Sequence, residues 1–157
     1  MSELTQLVVF CLDAQRYAVP LIVVERIVRA VEVTPLPKAP AIVLGVIDVE
    51  GRVLPVLNIR RRFGLPDKEI SPTDQFLIAQ TAERTVVLVI DHAQGVIERP
   101  STDIVIPARI VPGLEQIQGV IKLEDGLALI HDLEKFLSLD EARSLDEAMR
   151  QEVALAS

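Results

Sequence analysis

Residues 45–57, GVIDVEGRVLPVL, decide the fold of this chain. Two short runs of Val, Ile and Leu flank the pair Glu50-Gly51, where glycine supplies the positive φ that a tight turn between strands requires. Residues 119–130, GVIKLEDGLALI, have the same character and carry their turn signal at Asp125-Gly126. Each stretch therefore predicts an antiparallel β-hairpin.

The two hairpins belong to an internal repeat. A shift of 74 residues places Gly45 on Gly119 and continues without a gap to residues 58–61 and 132–135. Earlier in the chain, residues 14–16 and the run after them resemble residues 82–84 and residues 85–90 at a shift of 68. A unit of roughly 70 residues is longer than a solenoid repeat, so the pattern indicates duplication of one small barrel. Chance similarity between Val-rich and Ile-rich strands is the alternative.

Short apolar runs separated by turn residues fill the rest of the chain. The candidate strands are residues 7–12, 17–19, 42–49, 53–57, 75–80, 85–90, 118–123 and 127–130. A spacing of about ten residues is typical of small barrels or a sandwich rather than of βαβ units. Helical segments are expected at residues 20–30, 59–63 and 133–137 and in the tail.

A linker and a tail divide the chain further. Residues 65–74, LPDKEISPTD, are polar and bounded by proline, which marks the seam between the repeats. In the tail, residues 138–141 and 144–147 both match the capping-box pattern. An apolar stripe follows at helical spacing: Ala142, Leu145, Met149 and Val153. This helix either packs back on its own barrel or is offered to a partner.

Composition excludes several classes of function. The chain has 157 residues with 23 acidic and 16 basic side chains and a net charge of −7. Nucleic acids and anionic membranes need a basic surface, so neither is an expected partner. The single cysteine, Cys11, lies in an apolar run and reads as a buried thiol. No signal peptide or membrane span is apparent, so we expect a cytoplasmic protein.

Residues that could support catalysis are sparse. His92 and His131 lack zinc-ligand spacing, and no phosphate-cradling glycine motif occurs, so neither a metal nor a cofactor is expected. A small β-barrel hydrolase would have to use Asp48, Glu50 or Asp91, with one carboxyl pKa raised by a desolvating pocket. The run Arg60-Arg61-Arg62 is typical of a solvated helical face. We therefore expect a protein that is not an enzyme.

Residues 45–60 resemble the signature of the CheW-like domain family, in which GVINLRG is followed by VxPVxDLR. Residues 10–20 are similar to the family's opening hairpin, and Val87-Leu88-Val89-Ile90-Asp91 to its second V-x-x-V-D stretch. Residues 129–137 resemble its closing D-L-E-x-L-L motif. The resemblance covers about residues 4–137. It leaves residues 138–157 outside as a helical tail.

The resemblance implies a mainly β fold of two SH3-like, five-stranded barrels that share a core, with short helices and a C-terminal amphipathic helix. Barrel one is expected at roughly residues 4–66 and barrel two at roughly residues 74–137. The implied function is a non-catalytic adaptor in a bacterial chemotaxis-like complex. It would couple the cytoplasmic tips of chemoreceptors to the regulatory domain of a CheA-type histidine kinase, at receptor arrays beneath the inner membrane.

The family also implies a groove for the receptor helices, which would be recognised by apolar anchors and flanking charges. The positions that match its receptor-facing part are Val24, Arg26, Ile27, Gly45, Glu50, Val86 and Val87.

Two departures from the family pattern exchange charges. The family's V-x-E-I reads Val24-Glu25-Arg26-Ile27 here, and its L-R-G reads Val49-Glu50-Gly51. The charge-swapped residues Arg26 and Glu50 either form the same ion pair with acid and base exchanged or select a different set of receptors. A third departure, Asn58 in place of the motif's Asp, removes a charge near the barrel centre.

Three alternatives stay open from the sequence. The chain could serve an accessory pathway such as pilus motility or surface sensing. It could instead bind receptors as a competitor that does not activate kinase. The hydrolase that uses Asp48, Glu50 or Asp91 is the distant alternative from another class.

Overall fold

The computed structural model describes residues 3–106 and 117–156, with side chains as far as residue 151. The strands are β1 (Leu4–Leu12), β2 (Gln15–Pro20), β3 (Val24–Arg29), β4 (Val43–Val49), β5 (Arg52–Leu57), β6 (Gln75–Gln80), β7 (Thr85–Ile90), β8 (His92–Pro100), β9 (Ile104–Val105), β10 (Ile117–Leu123) and β11 (Gly126–His131). Helix α1 spans Ile59–Arg62 and helix α2 spans Leu139–Ala156, and 3₁₀ turns occupy Leu21–Val23, Ser101–Asp103 and Leu133–Lys135.

Eleven strands form two sheets in the described chain. The first has the order β8-β1-β2-β11-β10-β9 and the second has the order β3-β6-β7-β5-β4. Strands β8 and β9 are separated only by a 3₁₀ turn yet lie on opposite edges of the first sheet, so this stretch of chain closes that sheet into a barrel. In the second sheet, the chain after β3 closes the barrel through a bridge between Thr34 and Val46. The mainly β fold with a C-terminal helix is confirmed.

Three apolar clusters explain why many strands are apolar on both faces. Leu7 and Val9 of β1 lie in a cluster built by the first sheet alone, whereas Phe10 lies in a larger cluster shared by both sheets. Likewise, Phe76 of β6 faces the interior of the second sheet and Leu77 faces the shared cluster. Because successive side chains of a strand point to opposite faces, each such strand lines a barrel with one face and the shared core with the other.

The internal repeat is confirmed by strand register. A β-bulge interrupts the ladder between Val43 and Gly45 in β4, and the equivalent bulge falls between Ile117 and Gly119 in β10. The hairpins β4–β5 and β10–β11 therefore correspond residue by residue at the shift of 74. The 3₁₀ turns after Pro20 and Pro100 also have matching cap dihedrals, within two degrees.

Strand pairing corrects the expected division into barrels at residues 4–66 and 74–137. The hairpin β1–β2 joins β10–β11 through a parallel pair between β2 and β11, and the hairpin β6–β7 joins β4–β5 through a parallel pair between β7 and β5. Each half of the chain thus contributes its first hairpin to the other half's sheet. These strands bury both faces, and the exchange places one face against the shared cluster and the other against the interior of a sheet.

The helix expected at residues 20–30 is wrong. The segment forms one 3₁₀ turn and then strand β3, which pairs antiparallel with β6 from Val24 to Arg29. Its β-branched residues favour a strand, and the edge of β6 offers backbone hydrogen-bonding partners. The expected turns at residues 59–63 and 133–137 are present as α1 and a 3₁₀ turn.

Helix α2 packs back onto its own domain. Leu145, Ala148 and Met149 are buried in the shared cluster, and Ala142 is half-buried. Val153, the last residue of the predicted stripe, lies outside the described side chains. Of the helices in residues 3–106 and 117–156, none is long and apolar enough to cross a membrane.

Candidate functional site

The tip of hairpin β4–β5 carries the main cluster of charges at the predicted receptor groove. Arg26 of β3 lies 3.1 Å from the Glu50 carboxylate, as Nη2 to Oε2, and a second hydrogen bond of 3.3 Å runs from its Nη1. Glu50 turns the chain with φ 52° and Gly51 follows with φ 87°. Asp48 accepts a hydrogen bond of 2.8 Å from the Gly51 N–H, which holds this turn. The charge-swapped residues are therefore brought together as an ion pair.

A second ion pair beside the first was not predicted. Arg52 Nη2 lies 2.5 Å from Glu25 Oε2, and the hydrogen bond between them lowers the pKa of Glu25. Glu25 is the extra residue of a bulge in β3, since Val24 pairs with Ala79 and Arg26 with Ile78. A bulge redirects a side chain, so Glu25 and Arg26 can both reach the hairpin tip. This arrangement was not predicted because residues 20–30 were expected to form a helix and not a bulged strand.

The two ion pairs have opposite senses. In Glu25–Arg52, β3 supplies the acid and the hairpin supplies the base, which is the sense of the family pattern. In Arg26–Glu50 the sense is reversed. The hairpin tip therefore carries two acids and two bases, which we call the four-charge cluster (Glu25, Arg26, Glu50 and Arg52). The local charge is balanced, and the sense of only one of the two pairs is reversed from the family pattern.

Three of the uncharged residues predicted for the groove are buried and present no contact surface. Val86 and Val87 lie in the shared cluster and in the interior of the second sheet, and both are buried. Gly45 is also buried: a Cβ there would stand 2.2 Å from the Thr34 carbonyl oxygen, so the glycine permits close backbone approach. These three residues shape the site without presenting a surface. Val24 and Ile27 are half-buried against the shared cluster.

One exposed apolar residue, three positions before Glu25 in the sequence, was not predicted. Ile22, in the 3₁₀ turn before β3, is 93 % exposed, and the equivalent residue of the second turn is Thr102. An apolar side chain in one copy of a repeated turn and a polar one in the other would have been the signal.

The three arginines of α1 do not form a solvated face. Arg60 is buried, and its Nη2 lies 2.9 Å from Asp13 Oδ1 and 2.7 Å from Asp91 Oδ1. Arg61 pairs with Asp67 at the surface, and Arg62 is half-buried. Arg60 therefore connects the β1–β2 turn, α1 and the end of β7.

The carboxylates of the hydrolase alternative are engaged elsewhere. Burial alone would raise the pKa of Asp91, but hydrogen bonds from Arg60 and from the Asp13 N–H lower it. A general acid needs the opposite shift. Asp48 accepts the hydrogen bond that holds the hairpin turn, and Glu50 forms an ion pair with Arg26. In the described parts of the chain, no group of three or more His, Cys, Asp or Glu side chains is arranged to hold a metal ion.

His131 and Asn58 also make contacts within the fold. His131 is buried between Phe63 and Phe136, with ring centroids 4.8 and 5.2 Å away. Burial first, and then the charge of Arg62, lower the pKa of His131 to about 3. Asn58 caps α1 and donates from Nδ2 to Asp67 over 3.2 Å, a bond that the family's Asp could not donate. His92 is exposed, and the Cys11 thiol is buried with a raised pKa.

Comparison with known proteins identifies the fold and the family pattern. A sequence model of the CheW-like domain matches residues 6–141. "Chemotaxis protein CheW" of Treponema pallidum is 28% identical over 150 residues, covering 92% of this chain and 88% of the relative. "Protein FrzA" of Myxococcus xanthus is 33% identical over 92 residues, covering 59% of this chain and 58% of that protein. The scaffolding protein TtCheW from Thermoanaerobacter tengcongensis superposes with a TM-score of 0.80 at 23% identity, over 90% of this chain and 96% of that one.

Proposed function

The chain belongs to the CheW-like domain family, and on that basis we propose that it is the coupling adaptor of a chemotaxis-like signalling complex. It binds the cytoplasmic tip of a chemoreceptor with one surface and the regulatory domain of a CheA-type histidine kinase with another. The observation that carries this proposal is the family match over residues 6–141, which includes both sheets and the hairpin with the four-charge cluster.

Reconstitution tests the coupling role directly. The purified chain is mixed with the receptor signalling tips and the CheA-type kinase encoded nearest to it, and co-sedimentation and kinase autophosphorylation are measured. A ternary complex with raised autophosphorylation supports the adaptor. Receptor binding without activation would identify a competitor instead, and binding to neither partner would reduce the resemblance to one of fold.

An accessory pathway is a second candidate because of the altered charges at the hairpin tip. Receptors from the flagellar and accessory gene sets of the same organism distinguish the two pathways. Preferential binding to the accessory set would assign the chain there. In either pathway we place the protein in the cytoplasm at receptor arrays.

We further propose that the four-charge cluster sets receptor choice, with Ile22, Val24 and Ile27 as apolar contacts. Like charges across an interface penalise the wrong partner, and opposite charges favour the right one. The balance of two opposite ion pairs therefore suits a receptor whose own charges alternate along its helix.

Charge exchange tests this proposal. Binding to a panel of receptor tips is measured for wild type, Arg26→Glu, Glu50→Arg and the double exchange. The double exchange keeps an ion pair but gives both pairs the same sense, so partner preference should change while folding does not. The matched control is the double exchange Arg16→Asp with Asp125→Arg at the other hairpin tip, where a 2.6 Å ion pair also lies. Equal preference across the first four proteins would reject the proposal.

A further inference from the structure

A groove opens at the base of hairpin β4–β5, at the opposite end of the hairpin from the four-charge cluster. Its volume is about 740 Å³, within the range of about 300–1,000 Å³ that is typical of ligand sites in proteins. Residues 30–33, which follow β3, and residues 67–72 of the linker line it together with Leu44 and the start of α1. We call it the hairpin-base groove.

Apolar side chains of the groove lie at two levels of burial. Val33 and Ile70 are half-buried and pack against the interior cluster of the second sheet. Val31 and Leu44 are exposed, at 54 % and 38 %. An incoming apolar side chain can therefore contact a floor that is anchored in the fold and two side chains that solvent now covers.

Leu44 owes its position to a β-bulge. It is the extra residue between Val43 and Gly45, and a bulge redirects the side chain that it carries. The equivalent bulge residue in β10 is the polar Gln118, which is also exposed. The repeated fold therefore accepts a polar residue at this position, and the apolar one in the hairpin-base groove is not a requirement of folding.

The two cations that line the groove are neutralised within the chain. Arg61 Nη2 lies 3.2 Å from Asp67 Oδ2, and Lys68 Nζ lies 2.9 Å from the buried Asp74 carboxylate. These pairs hold the linker against α1 and against the start of β6. Neither cation is left to attract an anionic ligand.

Two acids of the groove have no such partner. Glu32 and Glu69 are exposed, and among the described residues neither has a cation within ion-pair distance. Glu32 lies on the segment after β3 and Glu69 on the linker, so two separate stretches of chain supply the excess negative charge. The groove thus complements an apolar ligand that carries positive charge. A second copy of this chain, with its net charge of −7, matches it poorly.

We propose that the hairpin-base groove binds a basic segment of a partner protein, in which one aliphatic side chain is flanked by two cationic residues. The aliphatic side chain packs against Val31, Leu44 and Ile70, and the cations face Glu32 and Glu69. Burial of the apolar anchor supplies affinity, and the two acids determine which segments are accepted. This contact is additional to the four-charge cluster and does not depend on the receptor and kinase assignments.

Three labelled peptides test the proposal on the unmodified chain. The probe is Gly-Arg-Ser-Leu-Ser-Arg-Gly; one control replaces its arginines by glutamates, and the other replaces its leucine by serine. In fluorescence anisotropy we expect the probe to bind about fivefold more tightly than either control, because each control lacks one kind of contact. Amide chemical-shift changes should be largest at residues 30–33 and 67–72 and at Leu44. Equal binding of the three peptides, or shift changes centred elsewhere, would overturn the proposal.

Charge reversal at the groove is the second test. The full-length variant Glu32→Lys with Glu69→Lys should bind the glutamate peptide more tightly than the probe. The matched control, Glu83→Lys with Glu124→Lys, makes the same change in net charge at exposed acids outside the groove and should keep the wild-type preference. The same reversal of preference in both variants would show an effect of net charge alone and would contradict the proposed site.

The apolar anchor is tested with the residue that the other half of the repeat carries. Leu44→Gln should weaken probe binding about fivefold, whereas Leu127→Gln, at an exposed leucine of the other hairpin, should leave it unchanged. Unaltered binding by Leu44→Gln would refute the assignment of the anchor. Self-association of the wild-type chain that Leu44→Gln abolishes would assign the groove to a second copy and overturn the separate partner.

Discussion

The hairpins β4–β5 and β10–β11 have the same register, yet their tips are held in different ways. The first tip turns through Glu50 and Gly51, both with positive φ, and is attached to β3 by two ion pairs. The second turns through residues 124–125, places its positive φ on Gly126 and is held by Arg16 from β2. Backbone register is constrained by the sheets, whereas the charges at a solvated tip are free to differ.

The turns that follow these hairpins also share their backbone position but differ in the side chains that hold them. Arg60 in α1 binds the carboxylate of Asp13 in the β1–β2 turn, and its equivalent Glu134 accepts a hydrogen bond of 2.8 Å from the Ala82 N–H in the β6–β7 turn. Each half's first hairpin lies in the other half's sheet, and these two residues tie it back to the turn that follows its own half's second hairpin. One uses an ion pair from a buried arginine and the other an exposed hydrogen bond, so the repeat preserves the connection and not its chemistry.

The bulge glycines offer the sharpest contrast. A Cβ at Gly45 would meet the backbone oxygen of Thr34 at 2.2 Å, and its φ of 154° is itself unfavourable for other residues. At Gly119 the nearest atom, at 2.6 Å, is the Cγ2 of the Ile104 side chain. We expect Gly45→Ala to lower the free energy of unfolding by about 3–5 kcal/mol and Gly119→Ala by about 1–2 kcal/mol. Urea denaturation measures both, and equal losses would contradict the assignment of strain to Gly45.

The buried arginine should matter more than its exposed equivalent. Arg60→Met leaves half-exposed Asp13 without its cation and Asp91 with only Lys68, 3.7 Å away, and we expect a loss of about 2–4 kcal/mol in unfolding free energy. Glu134→Met removes one exposed hydrogen bond and should cost about 0.5–1 kcal/mol. The two variants are compared by urea denaturation at pH 7. A smaller loss for Arg60→Met than for Glu134→Met would refute this reading of the connection.

Position 131 tests the cost of a polar residue in a repeat position that is otherwise apolar. His131 is equivalent to Leu57, and neither ring nitrogen has a hydrogen-bond partner among the described residues. We expect His131→Leu to raise the free energy of unfolding by about 1–3 kcal/mol. Its matched control, Leu57→His, should lower it. A thermal or urea transition that moves the other way for His131→Leu would show that the imidazole packs better than leucine.

The same residue predicts a pH dependence. The pKa of His131 is about 3 in the folded chain and 6.5 in its ordinary state, so the unfolded chain binds the proton first and stability falls as pH drops below 6.5. Between pH 7 and pH 5 this group should remove about 2 kcal/mol from wild type. The His131→Leu variant should lack that loss, and parallel pH profiles for the two proteins would contradict the assignment.

Reversal of the Arg26–Glu50 pair should have the smallest effect on stability. Both side chains are substantially exposed, and such pairs contribute about 0.2–1 kcal/mol. The free energy of unfolding of the double exchange should therefore differ from that of wild type by no more than this amount, and by less at high salt. A loss of several kcal/mol would mean that the four-charge cluster determines the conformation of the hairpin rather than the choice of partner.

Local signals in the sequence determined the hairpins, the repeat, most strand positions and the C-terminal helix. The pair Glu50-Gly51 indicates a turn, and Ser138 with Glu141 indicates a helix start, because each signal depends on residues a few positions apart. Strand β3 was missed because its pattern of Val and Ile fits either period. Only the edge of β6, which is distant in sequence, decides between them.

Tertiary structure alone decided which hairpins share a sheet and which charges meet. Arg60 is buried because β1–β2 and the end of β7 converge on it, and nothing in Arg60-Arg61-Arg62 separates it from its neighbours. Glu25 reaches Arg52 because a bulge redirects it. Leu145 of α2 is buried because β5 and β7 come together from opposite halves of the chain and join it in the shared cluster. Local conformation follows from neighbouring residues, but burial and ion pairing depend on contacts between segments far apart in the sequence.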